Sequence, residues 1–262
     1  MRLKVLNLTV AKTIQLVLFM KALYLKEIRT FLGSIIGYMV MGVFLVLNSL
    51  FLWVFSSGAN ILEGGTADLV SFFTIAPIIF LILIPAITMR SFSEEKRTGT
   101  IELLLTRPIT DLQIVLAKYF AGLTLVFISI LPTLIYYLSI HLLGKPVGIV
   151  DDGVIISSYI GLLFVGSVFV AIGIFVSSLF NSQITALILS VLIIWFFYMG
   201  IDFLANYTQF GSFDIILKNI GISEHFKSIQ KGILVSTDFV YFISVNIVFI
   251  LATKLKLQSR KW

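Results

Sequence analysis

The chain is divided by where charge is absent. Five stretches hold no Asp, Glu, Lys or Arg: Thr30 to Leu62, Leu69 to Met89, Tyr119 to Gly144, Gly153 to Ile201 and Phe239 to Thr253. A charged side chain at the centre of a bilayer costs about 2.5–3.5 kcal/mol on insertion scales, so such stretches mark membrane spans. The fourth holds 49 residues. At ~1.5 Å rise per residue it exceeds twice a hydrocarbon core of ~30 Å and must fold back on itself. Its one place to turn is the polar cluster Ser177, Ser178, Asn181, Ser182 and Gln183. The last stretch is short for a span and is extended back to about Leu234, taking Asp238 to the boundary. The pattern therefore predicts six helical spans at about 33–55, 70–89, 119–140, 158–177, 184–203 and 235–253, with both termini on one side.

Composition removes the soluble alternative. Hydrophobic residues make up 59% of the chain and charged ones 12%, against roughly 25% charged in a soluble domain. The fold class expected is an all-α integral membrane protein, with 1–262 as a single domain. The net charge of +6 is then a topology signal and not a nucleic-acid footprint. With both termini inside, fifteen of the nineteen basic residues fall on the cytoplasmic side, leaving only Lys145, Lys218, Lys227 and Lys231 outside. That face nets +10 and the opposite one −4, which predicts a multi-pass protein with cytoplasmic termini, expected in the cell inner membrane. There is no cysteine, hence no disulfide framework and no thiol chemistry.

Two further segments are neither spans nor tight turns. Leu23, Tyr24, Ile28, Phe31 and Leu32 share one helical face with Lys21, Lys26 and Arg29 off it, predicting a helix in the cytoplasmic interface ahead of the first span. The outer segment Ala205 to Thr237 is too apolar for a free loop and is expected to pack on or dip into the outer leaflet. Pro77, Pro85 and Pro132 can kink or break their spans. Small residues at Gly33, Gly37, Gly42, Gly161, Gly166 and Gly173 permit close helix contact, within the chain or between copies.

Catalytic constellations are missing. No phosphate-binding G-x-x-x-x-G-K-[ST] loop occurs, so the chain has no ATPase of its own and no cofactor is expected in it. His141 and His225 are lone boundary residues, read as interfacial hydrogen-bonders and not as metal ligands. No span pairs a serine with a histidine, as an intramembrane protease requires. The span cores carry no ionisable residue apart from Asp202 and Asp238 at outer ends, which disfavours an ion-coupled carrier.

Charge gathers instead in one cytoplasmic segment: nine of the thirty-two charged residues lie between Arg90 and Lys118. Ser91 with Glu94 fits a capping box that opens a charged helical turn, and Gly99 interrupts it. Thr100 to Thr106 then forms a stub of ~10 Å with Ile101, Leu104 and Leu105 on one face, stopped by Arg107-Pro108. Thr110 and Gln113 supply a second capping box leading into the third span. A short apolar-faced helix flanked by Glu95, Lys96, Arg97, Glu102 and Arg107 suits a groove on a soluble partner, or else rests its leucines on lipid headgroups.

The segment resembles the first cytoplasmic loop of ABC-2-type transporter permeases. The residues that carry the likeness are Glu94, Glu95, Gly99, Thr100, Glu102, Leu103 and Leu104, then Pro108, then Lys118 before the third span. Beyond the loop, Ile36-Gly37-Tyr38, Asn48-Ser49-Leu50-Phe51-Leu52-Trp53, Gly221-Ile222-Ser223-Glu224-His225-Phe226 and the closing Leu257-Gln258-Ser259-Arg260-Lys261-Trp262 are similar to the gliding-motility-associated subfamily. The likeness runs from Met20 to Trp262, and residues 1–19 depart from it as an extended start. It implies a permease that pairs with a second permease copy, homodimeric or heterodimeric, and with a dimer of ABC ATPase subunits that uses the ATP. A periplasmic auxiliary subunit and membrane lipid complete the implied partners; nucleic acid is not among them. It makes 93–108 the ATPase-coupling loop, with Glu94, Glu95, Lys96, Arg97, Gly99, Thr100, Glu102, Leu103, Leu104, Arg107 and Pro108 as its residues. It also implies re-entrant helices between the fifth and sixth spans. The function expected is export, within gliding machinery. The competing readings are a membrane scaffold that recruits a soluble partner without transport and an ion-coupled secondary carrier.

Overall fold

A computed structural model describes residues 18–65, 67–106, 109–144, 150–207 and 218–259. Among them there are helices and no strands. Six helices are long and apolar enough to cross a membrane: Ile35–Val54, Val70–Arg97, Asp111–Leu143, Asp152–Leu179, Gln183–Ala205 and Ser236–Gln258. Helix is the form such sequences must take, because hydrocarbon offers no partner for a free backbone N–H or C=O. The extended start read at 1–19 lies outside the described residues except for 18 and 19, which open a helix running through 18–32.

The fourth span is the hub and is the most buried of the six. Asp151 starts it by accepting from the Gly153 and Val154 N–H groups at 3.1 and 3.2 Å. Its glycines explain how neighbours come so close. A Cβ on Gly173 would lie 2.0 Å from Thr88 Oγ1 of the second span, and one on Gly166 2.7 Å from Val126 of the third. One on Gly161 would meet Ile229 at 2.8 Å. Those three positions serve internal packing; Gly42 on the first span has nothing within 4 Å and faces outward.

Boundaries differ from the charge pattern where polar residues are absorbed into helix. Ser177 and Ser178 are helical and buried, and the turn between spans four and five narrows to Phe180–Ser182, with Ser182 capping the next helix. The third span starts at Asp111, well before Tyr119, and the Thr110–Gln113 capping box forms there. Pro132 tightens that span to one 3₁₀ turn over Leu131–Thr133 without ending it, whereas Pro77 and Pro85 sit within a single α-helix. Ser91 caps nothing: helix Arg90–Arg97 follows directly from the second span through Met89, which keeps helical backbone angles. Two wide π-helical turns, Leu50–Val54 and Phe196–Gly200, went unforeseen. The expected re-entrant region is described from 218 on, where helix Ile222–Gln230 buries Ile222, Phe226 and Ile229 against the fourth span. Ser157 of that span donates to the Ile229 carbonyl at 3.0 Å.

Candidate functional site

Four elements meet at the end of the bundle that carries the charged loop: helix 18–32, helix Arg90–Arg97 leaving the second span, the start of the third span and the end of the fourth. Helix 18–32 faces them with Leu23, Glu27 and Phe31, spaced four apart and all buried. An acidic residue in the middle of a buried stripe needs a cation. Lys118 supplies it from inside the third span.

The Lys118 side chain is 1% exposed. Its ammonium has three N–H groups and three acceptors around it: Glu27 Oε1 at 3.0 Å, Glu95 Oε1 at 3.0 Å and the Ser91 carbonyl at 2.7 Å. It also lies 5.0 Å over the Phe92 ring. Lys26 joins from the surface, 3.1 Å from Glu95 and 3.4 Å from Glu27. Partial burial tends to lower the Lys26 pKa, but Glu27 and Glu95 outweigh it and hold the ammonium above its ordinary range. Two carboxylates and two ammoniums thus close a neutral knot tying helix 18–32, helix Arg90–Arg97 and the third span. In low dielectric such a knot persists only when complete, because one missing partner leaves a buried charge uncompensated.

The fourth span is joined by hydrogen bonds. Ser177 Oγ accepts from the Phe92 and Ser93 N–H groups at 3.0 and 3.2 Å and donates to the Met89 carbonyl at 2.8 Å. It fills the gap where the helical ladder opens after Met89. Lys96 Nζ donates to the Ser178 carbonyl, placing a cation at the negative end of the fourth helix.

Beyond Lys96 the loop turns outward. Arg97 and Thr98 are exposed, and Gly99 takes φ +72°, a left-handed conformation that glycine adopts without a Cβ penalty. Thr98 and Thr100 hydroxyls bridge this joint at 2.9 Å. The stub is helix Thr100–Leu105. It turns Ile101 inward, half-buries Leu104, and leaves Glu102 and Leu103 exposed, Leu103 by 68%.

The sequence-assigned residues therefore separate. Glu95 and Lys96 point inward and hold the loop; Glu94 is half-buried beside Arg90 in a crevice of about 310 Å³. Arg97, Gly99, Thr100, Glu102 and Leu103 form an outer surface. Arg107 and Pro108 lie outside the described residues, as does the Leu105 side chain. Sequence reading missed Glu27 and Ser177, and it left Lys118 as a loop residue. The four-residue spacing of Leu23, Glu27 and Phe31 was a usable signal for Glu27.

At the opposite end, both histidines are hydrogen-bonded to single carboxylates. His141 Nε2 is 2.8 Å from Asp152 Oδ1. His225 Nδ1 is 2.7 Å from Asp238 Oδ1, and its ring stacks on Tyr241 at 3.9 Å.

Comparison with known proteins agrees with this architecture. A family model described as ABC-2 family transporter protein matches residues 22–210, from helix 18–32 through the fifth span, with the charged loop between. No curated protein matches the chain. Matched over more than two thirds of its length and carrying six apolar helices, the chain belongs to the ABC-2 transporter family, as a multi-pass permease subunit of an ABC transporter associated with an ABC ATPase.

Proposed function

We propose that this chain is the permease half of an ATP-driven exporter, that residues 1–262 form one domain, and that loop 93–108 receives work from a separate ATPase dimer. The observation that carries the reading is the contrast within the loop: an exposed stub at Thr100–Leu105 joined through one glycine to a helix anchored by a buried charge knot. Arg97, Glu102 and Leu103 make the docking contacts. Lys118, Glu27 and Glu95 pass the displacement to helix 18–32, to the second span and to the third. ATP binding closes the ATPase dimer, the seated stubs move with it, and the first and second spans of two permease copies shift against each other. The chain holds no cofactor of its own; ATP belongs to the partner.

The distribution of basic residues supports an inner-membrane orientation with both termini and the stub cytoplasmic. Helix Ile222–Gln230 then sits at the periplasmic side, where an auxiliary subunit has access. The segments similar to gliding-motility permeases support a place in gliding machinery.

Reconstitution with the cognate ATPase tests the coupling. Docking surfaces concentrate affinity in a few central side chains, so Leu103→Asp with Glu102→Arg is expected to cut permease-stimulated ATP hydrolysis about tenfold. Hydrolysis indifferent to that variant and to deletion of 100–106 overturns the reading. ATPase recruitment with no transport-linked hydrolysis favours the scaffold instead.

A further inference from the structure

A second site lies within the membrane-spanning part, away from the loop. A groove of about 610 Å³ opens sideways between the third, fourth and sixth spans, within the ~300–1,000 Å³ typical of small-molecule sites. On the third span it runs from Leu116 to Phe127, roughly 16 Å of helix. That is about half of a ~30 Å hydrocarbon core, the depth one lipid chain fills. Its walls are aliphatic and aromatic, and Phe127 and Ile247 are about half exposed on its rim.

Its back wall is polar. Asn246 Nδ2 donates to Ser167 Oγ at 2.8 Å and to the Phe242 carbonyl at 2.9 Å. Ser167 donates in turn to the Phe164 carbonyl at 2.6 Å. Both amide hydrogens of Asn246 are engaged, and turning the amide around would set Oδ1 2.9 Å from the Phe242 carbonyl oxygen, acceptor against acceptor. Asn246 Oδ1 is left buried with no partner, on a residue only 7% exposed that lines the groove. Hydrocarbon provides no water to satisfy it. Asn246 lies near the middle of Ser236–Gln258 and Ser167 near the middle of Asp152–Leu179, so the missing donor belongs at mid-membrane depth.

We propose that this groove binds an amphiphile whose hydrocarbon chain carries a hydrogen-bond donor, a hydroxyl or an amide, part-way along its length. The chain fills the apolar walls and the donor meets Asn246 Oδ1.

The test uses the full chain in detergent and a matched pair of probes, 12-hydroxystearic acid and stearic acid, titrated by native mass spectrometry. One net hydrogen bond predicts 12-hydroxystearate bound about three- to tenfold more tightly. Asn246→Leu is expected to erase that preference while leaving stearate affinity in place. Ile247→Trp, at a half-exposed rim position, is expected to weaken both probes. Equal affinities in the wild type, a preference that survives Asn246→Leu, or affinities for both probes that Ile247→Trp leaves unchanged, overturns the proposal. So does a wild-type dimer that Ile247→Trp dissociates, which would give the groove to a second copy of the chain.

Discussion

Each end of this helix bundle holds a lysine between two carboxylates. At one end Lys118 lies 3.0 Å from both Glu27 and Glu95 with 1% of its side chain exposed. At the other Lys227 lies 3.0 Å from Asp202 and 3.1 Å from Glu224 with half of its side chain in the open. The distances match and the physics does not. Lys227 has desolvation pulling its pKa down and two carboxylates raising it, with a net rise, yet solvent screens the pair. Lys118 has no such screening, and its partners come from two helices far apart in sequence, Glu27 on one and Ser91 and Glu95 on the other. Burial, more than geometry, turns an ion cluster into a mechanical joint.

Substitutions separate the two clusters by size of effect. Lys118→Met should cost the most, about 3–5 kcal/mol by thermal unfolding in detergent, because it leaves two largely buried carboxylates with only the half-exposed Lys26 to compensate them. The triple variant Glu27→Gln, Glu95→Gln, Lys118→Met should recover most of that loss, since it removes the charges together. A single and a triple variant of equal stability would show that Lys118 acts through packing alone. Next, Ser177→Ala removes the acceptor of two buried N–H groups, at about 1–3 kcal/mol, and should speed hydrogen exchange at Phe92 and Ser93 first. Smallest is Lys227→Met, below about 1 kcal/mol and diminishing in high salt. A loss as large as that of Lys118→Met would abolish the contrast.

The same contrast explains what could be read in the sequence. Six spans were legible because hydrocarbon excludes charge along whole helices, and the loop because charge accumulated there. Thr110 and Gln113 announced the start of the third span through a local capping box, which needs no distant partner. Ser91 and Glu94 carried the same local signature and failed, because Met89 stays helical and Ser177, 84 residues away from Ser93, takes the backbone donors instead. Lys118 was assigned to the loop on the rule that lysine stays out of spans; two acids from other helices override that rule. Glu27 was hidden by being the one charged member of an otherwise apolar stripe. Arg97 parts from Glu95 and Lys96 by rotation within helix Arg90–Arg97 and Glu102 by the turn at Gly99, and charge spacing alone resolves neither.

If the exposed stub, and not the opposite end, meets the ATPase, thiols placed at the two ends will differ in what they crosslink. The chain has no cysteine, so Leu103→Cys and a control Glu63→Cys each offer one thiol for a photoactivatable benzophenone maleimide. Illumination of the co-expressed complex in membranes should give a permease–ATPase adduct from position 103 and none from 63. No adduct from 103, or an equal yield from both, would contradict the account.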